Sequence, residues 1–156
     1  MKPFSGAVMI SAVALLLCSF AFKGKDSTSL EGKLYKVTTT EVKKGKSGKP
    51  DQDEISFKGG KFKSKTAKVE MGADAIPIEL NVDSVYVQEG SDDNEDIDMI
   101  YVEFEGEFTN KMEETVKVVG TVDGYGIEGS IELSKKGKLK RHFDFVGSQK
   151  DGKKKK

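Results

Sequence analysis

Apolar residues recur at every second position through much of the chain, the period of a strand with one buried face. Residues 30–42, LEGKLYKVTTTEV, alternate and are rich in β-branched side chains, which predicts a long first strand. Residues 43–53 bring Lys, Gly, Ser and Pro50 together and read as an exposed loop. Residues 53–58 predict a strand, Gly59-Gly60 a hairpin turn, and residues 61–64 the start of the partner strand. Residues 75–82 alternate as well. Pro77 cannot donate to a ladder, so it points there to an edge or a bulge, and residues 85–87 extend that strand or begin another. Residues 100–108, IYVEFEGEF, give the cleanest alternation, apolar on even numbers. Residues 114–147 then read as three strands joined by turns at Asp123-Gly124 and at residues 135–138, an antiparallel meander. Outside the N-terminal segment no helical period emerges, although residues 66–72 leave room for one turn.

About eight short strands with turn signals between them predict an all-β fold. The meander favours an up-and-down barrel, because closure leaves no exposed sheet edge; a β-sandwich is the alternative. The inward set expected from the alternation is Tyr35, Val37, Ile55, Phe57, Phe62, Ile78, Leu80, Ile100, Val102, Phe104, Phe108, Val116, Val118, Ile131, Leu133, Phe143 and Phe145. An eight-stranded barrel is just wide enough to be filled by side chains or to hold one small ligand.

The N-terminus changes the domain picture. Lys2 precedes an apolar run over residues 7–17 that is too short to span a bilayer, and Ser19-Phe20-Ala21 presents small residues where a signal peptidase acts. The expected organisation is a signal peptide over 1–21, a linker over 22–29, a barrel domain over 30–149 and a basic tail over 150–156. Export to a periplasm or the extracellular medium follows; an uncleaved anchor is an alternative. Cys18, the only cysteine, lies in LLLCS, which resembles a bacterial lipobox with Leu17 where that motif has a small residue, so an envelope lipoprotein is a further alternative. Cleavage after Ala21 removes Cys18, and with it disulfides, thiolate metal sites and cysteine nucleophiles. The 26 basic residues balance the 26 acidic ones, which argues against a nucleic-acid binder. The charge is nonetheless uneven, acidic over 89–98 and basic in the terminal lysines.

Two groups of motifs resemble a known family. LEGKLY over residues 30–35 resembles the opening of lipocalin-like chains, with Leu34 where they carry a Trp. Asp53-x-Ile55-x-Phe57-x-Gly59-Gly60-Lys61-Phe62-x-Ser64, then Ile127-x-Gly129 and Phe143-x-Phe145-x-Gly147, resemble small secreted bacterial lipocalin-like (calycin-like) β-barrel proteins. The resemblance implies a barrel whose last strand offers a basic residue to pack over the Trp position of the first; Arg141 is the matching candidate.

Candidate chemistry narrows from there. Gly124-Tyr125-Gly126-Ile127-Glu128-Gly129 matches the dinucleotide-binding glycine run, yet it joins strand to strand, whereas a phosphate site needs it to open a helix. Asp92, Asn94 and Asp96 alternate as in a calcium loop, and Glu103 stands where a bidentate carboxylate belongs, but Ile97 replaces the turn glycine. These four are weak metal candidates. His142 is the only histidine, next but one to Asp144, and no nucleophile elbow accompanies it. No cofactor is expected and no enzyme. The expected function is a non-catalytic binding module for a small apolar or amphipathic molecule, held in the barrel interior by Tyr35, Phe57, Phe104, Phe108, Arg141, Phe143 and Phe145. The alternatives are a structural or protein-interaction domain with a filled barrel, or weak calcium binding at the acidic loop.

Overall fold

The computed structural model describes residues 29–150. The signal-peptide assignment, the lipobox at Cys18 and nearly all of the linker and the basic tail lie outside them. Eight antiparallel strands follow one another around a single ring: β1 (Leu34–Lys43), β2 (Lys46–Lys58), β3 (Lys61–Ser64), β4 (Ile76–Gln88), β5 (Ile97–Thr109), β6 (Thr115–Asp123), β7 (Gly126–Lys135) and β8 (Lys138–Gln149). One helix, α1 (Lys65–Met71), interrupts the series after β3. The ring closes where β8 pairs with β1, from Tyr35 opposite Gln149 to Glu41 opposite Phe143. Its thinnest seam lies between β3 and β4, which share only the pairs Lys61–Pro77 and Phe62–Ile76. Pro77 is tolerated there because the ladder is nearly over.

Turn chemistry sets the strand order. Lys44-Gly45, Gly59-Gly60 and Lys136-Gly137 each place two successive residues at positive φ, the geometry of a tight hairpin whose twist matches its strands. Residues 43–53, expected as an exposed loop, are a correction. Apart from the turn at residues 44 and 45 they belong to β1 and β2, which run together as a polar hairpin arm with Pro50 opposite Thr40. Cross-strand hydrogen bonding holds that arm, and it needs no apolar alternation to do so. Residues 66–72 hold two turns of helix rather than one. Residues 85–87 continue β4, past a bulge between Leu80 and Val82.

The interior is occupied by side chains. Tyr35, Phe57, Phe62, Phe104 and Phe145 are buried and touch in a continuous set, with centroid separations between 5.2 Å (Phe57–Phe104) and 6.1 Å (Phe62–Phe104). Such a set gains edge and stacking energy beyond its buried area. Room for two of the rings comes from their neighbours on the same wall. Phe104, Gly120, Gly129 and Phe145 lie side by side in register across β5, β6, β7 and β8. A Cβ on Gly120 would come 2.8 Å from Phe104 Cε1, and one on Gly129 would come 2.5 Å from Phe145 Cζ. Two large residues lean over two that have no side chain, and the barrel packs shut. Most of the expected inward set is buried; Ile78, Leu80, Ile100 and Phe108 are only partly so and pack against the core edge. Leu30, Met71, Ala73, Ile76, Val122 and Ile127 join the core in addition.

Candidate functional site

One end of the barrel is closed by α1, and the closure is built from polar residues. Ser64 caps the helix, its Oγ accepting from Ala67 N at 3.2 Å, and Gly72 ends it in the left-handed conformation at φ 67°. Asp53 projects from β2 beneath the helix start. Its carboxylate accepts from Ser64 Oγ at 2.6 Å, Lys65 N at 2.9 Å and Thr66 N at 3.0 Å. Burial works against this charge, but the Ser64 hydroxyl and the Thr66 and Glu54 amides outweigh it and hold the Asp53 carboxyl below the ordinary range. Asn110 grips the other end of the helix. Its Nδ2 donates to Met71 O at 2.9 Å and to Glu114 Oε2 at 3.1 Å, while its Oδ1 accepts from Met112 N and Glu114 N.

Arg141 completes the closure. From β8 its Nε donates to Glu41 Oε1 on β1 at 2.8 Å, and its Nη1 to Glu70 Oε2 on α1 at 2.6 Å. The guanidinium carbon lies 4.9 Å from the centre of the Phe143 ring. The hydrogen bond from Arg141 holds the Glu41 carboxyl below its usual range, against a smaller cost of burial. Its hydrogen bond to Glu41 likewise raises the pKa of Arg141. The strap ties first strand, last strand and helix together.

Beside the strap a cleft of about 530 Å³ opens between the β1–β2 arm and α1. Thr39, Thr66, Val69 and Phe143 line its less polar part, and Thr66 Oγ1 donates to Thr39 Oγ1 at 3.3 Å. Lys43, Lys46, Lys49 and Lys65 line it with Arg141 against Glu41, Asp51 and Glu70, so positive charge is in excess. Lys43 pairs with Glu41 at 3.3 Å, whereas Lys46, Lys49 and Lys65 make no ion pair among the described residues. A second hollow of about 490 Å³ lies on the outer wall among Thr38, Thr121, Ser130 and Val146, and its only charged lining is Glu128 and Asp144.

The residues expected to form an interior site separate into three places. Tyr35, Phe57, Phe104 and Phe145 belong to the packed ring set. Phe143 is buried at the floor of the rim cleft, and Phe108 is partly buried against the edge of the core. Arg141 is on the rim rather than in the interior, and it does not approach Leu34. The antiparallel register puts the start of β1 beside the end of β8, so Leu34 O accepts from Lys150 N, at the opposite end from Arg141.

The weak metal candidates are not gathered together either. Asp96 Oδ1 accepts from Gly90 N at 3.0 Å, Asn94 Nδ2 donates to Ser91 Oγ at 3.2 Å, and Glu103 is on the barrel wall, accepting from Tyr101 Oη at 2.7 Å. Among the described residues no group of three or more His, Cys, Asp or Glu is arranged to hold a metal ion. His142 faces outward between Glu132 Oε1 at 3.0 Å and Asp144 Oδ1 at 2.7 Å. Gly124 opens a hairpin turn and Gly129 is inside β7, so the glycine run joins strand to strand. Sequence reasoning passed over Asp53, Asn110, Glu41 and Glu70. Ser64 and Gly72 bracket residues 65–71 as helix caps and were a readable signal; the partners of that helix depend on strand register.

Comparison of the chain with protein-family models, with curated proteins and with solved structures finds no match in any of the three.

Proposed function

We propose that this protein is an exported lipocalin-like barrel acting as a non-catalytic binding module, and that it takes a small amphipathic molecule bearing an anionic group at the rim rather than in the interior. The observation that carries this reading is the cleft itself. An apolar and hydroxyl lining of Phe143, Val69, Thr39 and Thr66 adjoins Lys46, Lys49 and Lys65, which make no ion pair among the described residues, and the cations of the lining outnumber its carboxylates five to three. An alkyl or ring portion rests on the floor while the anion meets the ammonium groups. Arg141 takes no direct part, because Glu41 and Glu70 already occupy it; it fixes the helix that forms one wall.

Octyl phosphate and octyltrimethylammonium, each below its micellar concentration, test the reading against amide and methyl chemical shifts. Octyl phosphate is expected to move resonances of Thr39, Lys65, Thr66 and Phe143, and the cation to leave them unmoved. Equal responses to both, or none to the anion at millimolar concentration, would sink it. Export is tested separately by mass spectrometry of the mature N-terminus. A chain beginning at Phe22 supports it, a lipid-modified Cys18 replaces it with the lipoprotein alternative, and an intact Met1 removes it. The interlocked rings of the interior favour a second reading, a protein-interaction domain whose barrel is simply filled. That reading stands if neither amphiphile binds and a folded partner does.

A further inference from the structure

At the end of the barrel away from α1, β4 and β5 continue past the wall as an arm. From residue 79 to residue 88, β4 pairs on one side with β5 and on its other side with no strand among the described residues. Its last bonds toward β3 come from Ile78 N, which donates to Gly60 O, and from the Pro77 and Ile76 pairs. A free edge of this kind presents a row of unpaired N–H and C=O groups to whatever strand can reach it.

A second free edge in the same molecule shows how such a row is protected. β2 pairs with β3 only from Ile55 to Lys58, and the start of α1 covers Asp53; the edge of residues 46–52 before it has no further strand beside it among the described residues. That edge carries Lys46, Gly48, Lys49 and Pro50, the residues that discourage strand addition through charge and a missing donor. The β4 edge has neither lysine nor proline between residues 79 and 88. Its one irregularity, the bulge before Val82, lies at the base of the arm, where Asp83 accepts a hydrogen bond from Ser29. Beyond it the strand is regular and carries exposed apolar side chains: Val85 is 61% exposed, Tyr86 41% and Val87 57%, and Ile97 of β5, 47% exposed, pairs with Gln88.

Charge selects the occupant. Residues 69–110 contain half of the chain's 26 acidic side chains and neither lysine nor arginine. Glu79 and Asp83 are on β4 itself, and residues 89–96 form an acidic turn at the arm's tip. Setting this edge against the same edge of a second copy would bring acidic arm against acidic arm. A cationic strand meets no such opposition.

We propose that the β4 edge from residue 79 to residue 88 is a docking site for an extended segment of another protein, one that alternates lysine or arginine with β-branched apolar residues and adds to the sheet as a further strand. Main-chain hydrogen bonds hold it along the edge. Val85 and Val87 receive its apolar face, and the acidic arm selects its charge. This site is separate from the rim cleft and does not depend on it.

The test uses the full chain with a ten-residue peptide alternating lysine and valine. Two further peptides accompany it: one with glutamate for lysine, and one N-methylated at the amides of a single edge. Calorimetry gives affinities, and amide hydrogen exchange locates the contact. The Lys–Val peptide is expected to bind and to slow exchange of β4 amides, the glutamate peptide not to bind, and N-methylation to weaken binding about tenfold or more through the lost main-chain bonds. The V85T/V87T variant, altered at exposed positions only, is expected to bind more weakly while keeping its unfolding midpoint. Absence of binding, equal affinity for the glutamate peptide or equal affinity for the N-methylated one would each overturn the proposal. Slowed β4 exchange on raising the protein's own concentration, with no peptide present, would overturn it too, since the occupant would then be a second copy.

Discussion

Replacing Asp53 by alanine tests the closed end of the barrel most directly. The carboxylate accepts from the Ser64 hydroxyl, the Lys65 amide and the Thr66 amide, and Asp53, Ser64 and Thr66 are all buried. Lys65 is exposed, so its amide can turn to water; the Ser64 and Thr66 donors cannot do so without opening the helix start. Hydrogen bonds to a charged acceptor are worth about 1.5–3 kcal/mol each, so losing the two buried ones costs about 3–6 kcal/mol. With a urea dependence of roughly 1.5 kcal/mol/M for a domain of this size, the midpoint should fall by about 2–4 M. Far-UV circular dichroism in urea measures it, and amide exchange over residues 65–71 shows whether the helix detaches before the barrel unfolds. Asp53→Asn, which keeps an acceptor but loses the charge, should lie between wild type and alanine. The sign with pH is fixed by the depressed carboxyl. Its contribution is fully present above the unfolded pKa of about 3.9 and is lost as pH falls through the lower folded value, so the alanine variant should lose less stability than wild type on acidification. A midpoint shift below about 0.5 M, with exchange over residues 65–71 unchanged, would refute this account.

Three other perturbations follow from the interior and the outer wall. Gly120→Ala drives a methyl into Phe104 and should cost about 1–3 kcal/mol; a double-mutant cycle with Phe104→Leu should show coupling, and additive effects would mean the ring and the glycine do not share space. Tyr35 is fully buried, its hydroxyl has no hydrogen-bond partner among the described residues, and burial pushes its pKa to about 12. Tyr35→Phe should therefore be neutral or stabilising by up to about 1 kcal/mol in thermal unfolding, and a clear loss would reveal a partner for that hydroxyl. Burial lowers the pKa of His142, but its hydrogen bonds to Asp144 and Glu132 prevail and raise it. Its stabilisation is full below the unfolded pKa of about 6.5 and disappears as pH rises through the folded value, so its NMR titration should centre above about 6.5 and fall back in Glu132→Gln/Asp144→Asn.

Much of the barrel was legible because a strand with one buried face writes itself as alternation. β5 to β8 show it: Val102, Phe104, Val116, Val118, Ile131, Phe143 and Phe145 are inside, as their spacing requires. The β2 half of the β1–β2 arm was illegible for the complementary reason. Residues 46–52 are polar on both faces apart from Pro50, so backbone pairing forms the strand without leaving a hydrophobic trace. The rim cleft was legible only in Phe143 and Arg141. Glu41, Glu70, Thr39 and Thr66 come from elements far apart in the chain, and no spacing rule joins Arg141 to a glutamate on β1.

The sequence by itself determined strand type, the turns at Gly59-Gly60, Asp123-Gly124 and residues 135–138, and the antiparallel meander, because these depend on side chains two residues apart and on local turn chemistry. Only the tertiary structure decided whether the interior is open or filled. That outcome rests on Gly120 and Gly129 falling opposite Phe104 and Phe145, a matter of register across four strands. It also decided which strand edges stay free. β2 and β4 are each longer than the short β3 between them, and an edge is unpaired wherever a long strand outruns its neighbour.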